Sequence, residues 1–137
     1  MNLRAHLPSD CPPASTESTF GEVYRFIDMN HSTPLPEDFL SWRELNPDKP
    51  CPTGVQECQA CGVSVFRSIN DVRRAQKIIP GLKKKKPALG NLTPELGLIQ
   101  NTPSKKTGKS HHTWWLYKDT NPWAVFQIIS IPDETLP

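Results

Sequence analysis

Fifteen prolines in 137 residues, roughly double the average usage, constrain this chain more than any other feature. Proline fixes φ and removes a backbone N–H, so this density predicts long ordered loops in place of long helices. With a hydrophobic content of 36%, the core must be compact and rich in aromatics. The length fits one domain. Residues 1–19 are polar, rich in Pro, Ser and Thr, and lack an apolar period, which predicts a flexible amino-terminal arm before a single globular domain over 20–137.

Local patterns predict an α+β fold: a small antiparallel sheet of about four to five short strands with one main helix at about 69–79 and Pro-rich loops. Glu22–Asp28 alternates as a strand and Asn30-His31-Ser32 turns it. Phe39, Trp42 and Leu45, spaced by three behind acidic residues, predict a short helical stretch that lays an aromatic face on the sheet. Val63–Phe66 reads as a buried strand. Behind it Ile69, Val72, Ala75 and Ile78/Ile79 recur at helical spacing between a Ser68 or Asn70 cap and the Pro80-Gly81 stop. Further strands are expected at about 96–102, 112–118 and 123–131, the last two as a hairpin across Asp119–Pro122.

Charge is segregated along the chain. Residues 67–110 carry +9, from Arg67, Arg73, Arg74, Lys77, Lys83 to Lys86, Lys105, Lys106 and Lys109 against Asp71 and Glu95, whereas residues 1–66 carry −5. A face of this sign attracts phosphate-bearing ligands or an acidic protein, while the plainer reading is a solvated surface. No run of about 18 apolar residues predicts a membrane span, and the amino terminus lacks the apolar run of a secretory signal, so a cytoplasmic setting is expected.

In such a setting the four cysteines read as thiols or metal ligands. Cys58-Gln59-Ala60-Cys61-Gly62 resembles half of a zinc ribbon or knuckle, and Cys51, Cys58 and Cys61 with Cys11 or a histidine would complete a tetrahedral zinc site. Buried core thiols are the competing reading.

The segment from Thr102 to Trp115 joins a cationic loop to two histidines and two tryptophans. Gly108-Lys109-Ser110 lacks the earlier glycine and the following helix of a P-loop. Strand alternation puts His112, Trp114 and Leu116 on one face and His111, Thr113 and Trp115 on the other, so the two histidines cannot share a site. His111 or His112 beside Lys109, Ser110 and Thr113 suits general acid/base work on a phosphorylated or nucleotide ligand, with Lys105, Lys106, Lys109 or Arg25 holding the anion. Trp114 and Trp115 are candidate stacking platforms, although one of an adjacent pair is expected in the core.

The segments Cys58–Phe66, Leu92–Gly97 and Ser110–Trp115 together resemble short uncharacterised bacterial proteins, some of them cyanobacterial, over roughly residues 20–131. That resemblance implies a bacterial, cytoplasmic context and no activity. Tyr24-Arg25 also resembles the arginine of ADP-ribosyltransferase-like sites, without an accompanying QxE-type motif.

Three functions follow. The first is a small binding module whose basic face takes nucleic acid or another phosphate-rich partner, braced by zinc. The second is an enzyme, ADP-ribosyltransferase-like or nuclease-like, using His111 or His112 on a phosphorylated or nucleotide ligand. The third is an accessory or inhibitor protein that docks an acidic partner through Lys83 to Lys86.

Overall fold

Residues 17–28 form one extended stretch bent at a single point, and that bend organises the sheet. The structure, a computed structural model, describes residues 2–4 and 6–131. Its strands are β1 (Glu17–Ser18), β2 (Gly21–Asp28), β3 (Val63–Phe66), β4 (Lys85–Leu92), β5 (Gly97–Asn101), β6 (His111–Leu116) and β7 (Phe126–Ile128). The α-helices are α1 (Trp42–Leu45), α2 (Glu57–Ala60) and α3 (Ile69–Ile78), and proline opens 3-10 turns at Pro36–Phe39, Pro80–Lys84, Pro94–Leu96 and Pro122–Val125. The mixed α and β character, the antiparallel sheet and the single long helix match expectation. The strand number does not, since the sheet has seven strands in the order β1-β5-β6-β3-β2-β4-β7.

That order closes on itself. β1 pairs with β5 and β2 pairs with β3 and β4, yet β1 and β2 are successive pieces of one stretch, so β1-β5-β6-β3-β2 wraps into a ring that β4 and β7 extend. Gly21 lies just past the bend at φ +76°, where a side chain would be strained. Thr19 fastens the corner: its amide donates to Gly97 O at 3.1 Å and its hydroxyl to Thr93 O at 2.6 Å.

The two faces of the sheet bury two cores. Strand alternation sends Val23, Ile27, Val63, Val65, Ile99 and Trp114 inward, where they meet Phe39 and Phe126. The opposite face presents Phe26 and Phe66 to Val72 and Ala75 of α3. This helix starts where expected, with the Ser68 hydroxyl accepting from Asp71 N.

Several expectations need correction. The proposed hairpin over 112–131 does not form, because β7 pairs with β4 and β6 lies between β3 and β5. Residues 85 and 86 are not a free lysine loop, since both belong to β4, which runs beside β2 along its length. Of Phe39, Trp42 and Leu45, only Phe39 is buried, and Leu45 is 60% exposed. A break at Leu40–Ser41 divides the segment into a 3-10 turn and a four-residue helix, which ends the three-residue spacing as one face. The amino-terminal stretch is tied down: Lys118 N donates to Asn2 O at 2.9 Å, Arg4 pairs with Glu44 at 2.9 Å, and Cys11 is bonded to Cys58. Positions 132–137 of the expected domain lie outside the described residues.

Asp38 anchors the turn after β2. Its buried carboxylate accepts from Leu35 N at 2.8 Å, Asp28 N at 3.1 Å and His31 Nδ1 at 2.8 Å. Burial alone would raise its pKa, but these donors outweigh it and hold the carboxyl below its ordinary 3.8. The same hydrogen bond raises His31 above its ordinary 6.5. Asp38's contribution to stability is therefore present above about 3.8 and lost as pH falls through its lower folded value, and that of His31 is present below about 6.5 and lost as pH rises through its higher folded value. Asp38→Asn is expected to cost roughly 1 to 3 kcal/mol, because an amide in place of the buried carboxylate cannot accept from all three donors. Urea midpoints taken from pH 4 to 9 should show a flatter profile in the variant. Parallel profiles would remove the pair from the account.

Candidate active site

β2 and β3 touch at one register pair, Tyr24 with Phe66, and then part. The Ser64 carbonyl, which a longer ladder would bond to a main-chain amide, is taken instead by the Arg25 side chain, Nη1 to O 2.9 Å. Arg25 Nε donates to Asp38 O at 3.0 Å, and its guanidinium lies 6.0 Å from the Phe39 ring centroid. Burial pushes the Arg25 pKa down to about 10, with Asp38 opposing, so it stays a cation at neutral pH. Among the described residues, Nη2 has no protein hydrogen-bond partner.

On the other side of β3 stands β6. Ser64 opposes Thr113 and Phe66 opposes His111, so Ser64 and His111 are diagonal neighbours on one face. Ser64 is exposed, unlike its neighbours Val63 and Val65, and its hydroxyl lies 2.9 Å from His111 Nε2. His111 Nδ1 is 2.7 Å from Thr102 O. A carbonyl only accepts, so Nδ1 carries the proton and Nε2 is left to accept from the Ser64 hydroxyl. Thr102 Oγ1 adds a contact at 3.0 Å to Nδ1 and one at 2.8 Å to Thr113 Oγ1. His111 is 4% exposed, and burial holds its pKa below 6.5 despite the Thr102 carbonyl, so the ring is neutral at neutral pH.

Ser64, His111 and Arg25 line a cleft of about 420 Å³ between α1–α2 and the β5–β6 loop. Its walls include Trp42, Leu45, Pro52 and Val55, of which Leu45 and Val55 are among the exposed large apolar side chains. A smaller space of about 210 Å³ shares Arg25, Ser64 and Thr107 and reaches Lys85.

The other expected site residues fall elsewhere. Lys105, Lys109 and Ser110 line an open concavity of about 950 Å³ with Arg74 and Asp71 of α3, while Lys106 is exposed on the same loop outside that lining. Asp71 holds the loop to the helix by accepting from Ser110 N at 2.9 Å, and Arg74 donates to Lys105 O. His112 faces away from His111, half-buried, with Nδ1 2.7 Å from Ser110 O, and burial lowers its pKa. Thr113 is buried. Trp114 and Trp115 are both core residues, at 0% and 2% exposure, so neither offers a stacking platform.

The cysteines are not gathered as a ligand set. Cys58 is bonded to Cys11, Cys51 Sγ donates to Val55 O at 3.1 Å, and Cys61 is buried beside Glu57, burial first and the carboxylate second pushing its thiol up to about 11. Among the described residues, no group of three or more His, Cys, Asp or Glu could hold a metal. None of the described helices is long and apolar enough to cross a membrane.

Ser64 was not among the expected site residues. Alternation in Val63-Ser64-Val65 would have turned it outward, but its partner is 47 positions away and depends on the β3–β6 register. Comparison with protein-family models, curated proteins and solved structures finds no match, so the reading of the site rests on its own chemistry.

Proposed function

We propose that the protein is a small binding module that takes a phosphate-rich partner, nucleic acid foremost, on the basic face built by α3 and the β5–β6 loop. The observation that supports this reading is the convergence of Arg74, Lys105 and Lys109 on one open concavity. With Trp114 and Trp115 buried, recognition runs through phosphates and not through bases stacked on them, which makes it sequence-independent. Three such contacts should weaken oligonucleotide binding roughly 40-fold when salt rises from about 50 to about 200 mM. Lys105→Glu with Lys109→Glu should remove most of the affinity in the same filter-binding assay. A salt-independent isotherm would sink the reading, and retention of an acidic protein in place of oligonucleotide would move the face to the docking role.

A second reading, an enzyme acting on an anionic ligand with His111 as the base, is favoured by a separate observation. Arg25, His111 and a serine hydroxyl line one cleft.

A further inference from the structure

We infer that Ser64 and His111 form a nucleophile–base pair that hydrolyses carboxylic esters bearing an apolar group. The inference rests on the enzyme reading of the cleft and goes beyond it by naming the nucleophile, the bond and the substrate class.

Three features of the cleft carry it. The first is the hydrogen-bond relay. Ser64 Oγ to His111 Nε2 is 2.9 Å, and His111 Nδ1 to Thr102 O is 2.7 Å. A hydroxyl is a weak nucleophile until a positioned base takes its proton, and the base must present its unprotonated nitrogen. The Thr102 carbonyl fixes that tautomer, the orienting half of the role a carboxylate plays in the Ser-His-Asp arrangement. The second is access. A serine held by a buried histidine merely to satisfy the histidine would be expected to be buried with it, whereas Ser64 is exposed at the floor of a cleft. The third is the cleft wall. Trp42, Leu45 and Val55 present apolar surface beside the dyad, and Leu45 and Val55 are left in solvent at 60% and 41% exposure. An apolar acyl or alkoxy group placed there would cover that surface. Arg25 Nη2 is the donor left for a substrate oxygen.

The chemistry balances with water as the only co-reactant. Ser64 Oγ attacks the ester carbonyl carbon while His111 Nε2 takes the hydroxyl proton. The ester C–O bond breaks, and the departing alkoxide takes that proton from His111, which leaves acyl-Ser64. Water then attacks the acyl carbon, His111 accepts its proton and returns it to Ser64 Oγ, and the carboxylic acid leaves.

The test uses the full chain. An alkyl fluorophosphonate should label the protein once, and peptide mapping should place the adduct on Ser64. p-Nitrophenyl esters should be hydrolysed faster as the acyl chain lengthens from acetate to butyrate. Ser64→Ala should abolish labelling and lower ester turnover at least about 100-fold, and His111→Gln should slow both about as much. The wild-type rate should be flat above neutral pH and fall in acid as His111 takes a proton. Because His111 is buried, a misfolded His111→Gln would be uninformative alone. The exposed Ser64→Ala, checked by its melt, keeps the proposal falsifiable. A folded wild type that stays unlabelled at Ser64, or a Ser64→Ala variant that turns over esters at the wild-type rate, overturns the inference. If Ser64 stays unlabelled while His111→Gln abolishes cleavage of a nucleotide substrate, ester hydrolysis fails and the enzyme reading stands.

Discussion

Trp114→Ala is expected to cost about 3 to 5 kcal/mol, which would take a large part of the stability of a domain this size. The ring is completely buried, stacks on Phe126 at 6.1 Å with an 18° interplanar angle, and meets Phe39 edge-on at 6.1 Å. Its Nε1 donates to Leu96 O at 3.0 Å, so truncation leaves a cavity and strips that carbonyl of one of its two donors, the Tyr117 amide at 3.3 Å being the other. The backbone is shaped around it. Gly97 sits at φ +142°, and a Cβ there would come within 2.2 Å of Trp115 O and 2.9 Å of Trp114 Nε1, so only glycine lets the chain pass this close to the ring. Thermal melts should fall by roughly 10 to 20 °C. Trp114→Phe, which keeps most of the stack and loses the hydrogen bond, should recover the larger part of that loss. A loss under about 1 kcal/mol for the alanine variant would mean that the Phe39–Trp114–Phe126 stack does not form the core described here.

The parts of this fold that sequence could disclose are those whose signal is local. Val63–Phe66 and the helix after it announce themselves through β-branched residues, a serine cap and a proline stop, and the structure has both elements within a residue or so. β4 was hidden because Lys83 to Lys86 reads as a solvated charge run, yet Lys85 and Lys86 pair with Asp28 and Ile27. Pro87 deepens the disguise. It brings no N–H, but its carbonyl accepts from Ile129 N at 3.1 Å and the β7 ladder starts only at Ala88. The turn residues Asp119–Pro122 suggested a hairpin. They deliver the chain instead into a 3-10 turn and across to β4, since the inward faces of β4 and β7 share one core with Trp114. The site follows the same logic. The basic charges and the opposite facing of His111 and His112 are legible from spacing and alternation, whereas the Ser64–His111 contact requires a register between strands joined through α3, β4 and β5.

Opening the Cys11–Cys58 bond is expected to cost about 4 kcal/mol, because it closes a loop with a sequence separation of 47 and its release returns that much chain entropy to the unfolded state. The bond fastens the amino-terminal stretch to α2, and the contacts beside it depend on the same placement: His6 Nε2 lies 3.0 Å from Cys61 O, and Trp115 Nε1 donates to Cys58 O at 2.9 Å. Urea midpoints with and without a thiol reductant should differ by that amount in the wild type. Cys11→Ser with Cys58→Ser should be equally weakened in both buffers, and Cys51→Ser should respond to reductant as the wild type does. The experiment also decides between bridge and metal. Reduction frees the thiols of Cys11 and Cys58, so if zinc restores the lost stability and a chelator removes it again, the reduced protein rearranges into the zinc-braced domain that the CxxC spacing suggested. If zinc changes nothing, the cysteine pair serves the fold through its bridge alone. A compartment that keeps thiols reduced would then hold the domain in its weaker state, with the cleft wall at α2 the first place to loosen.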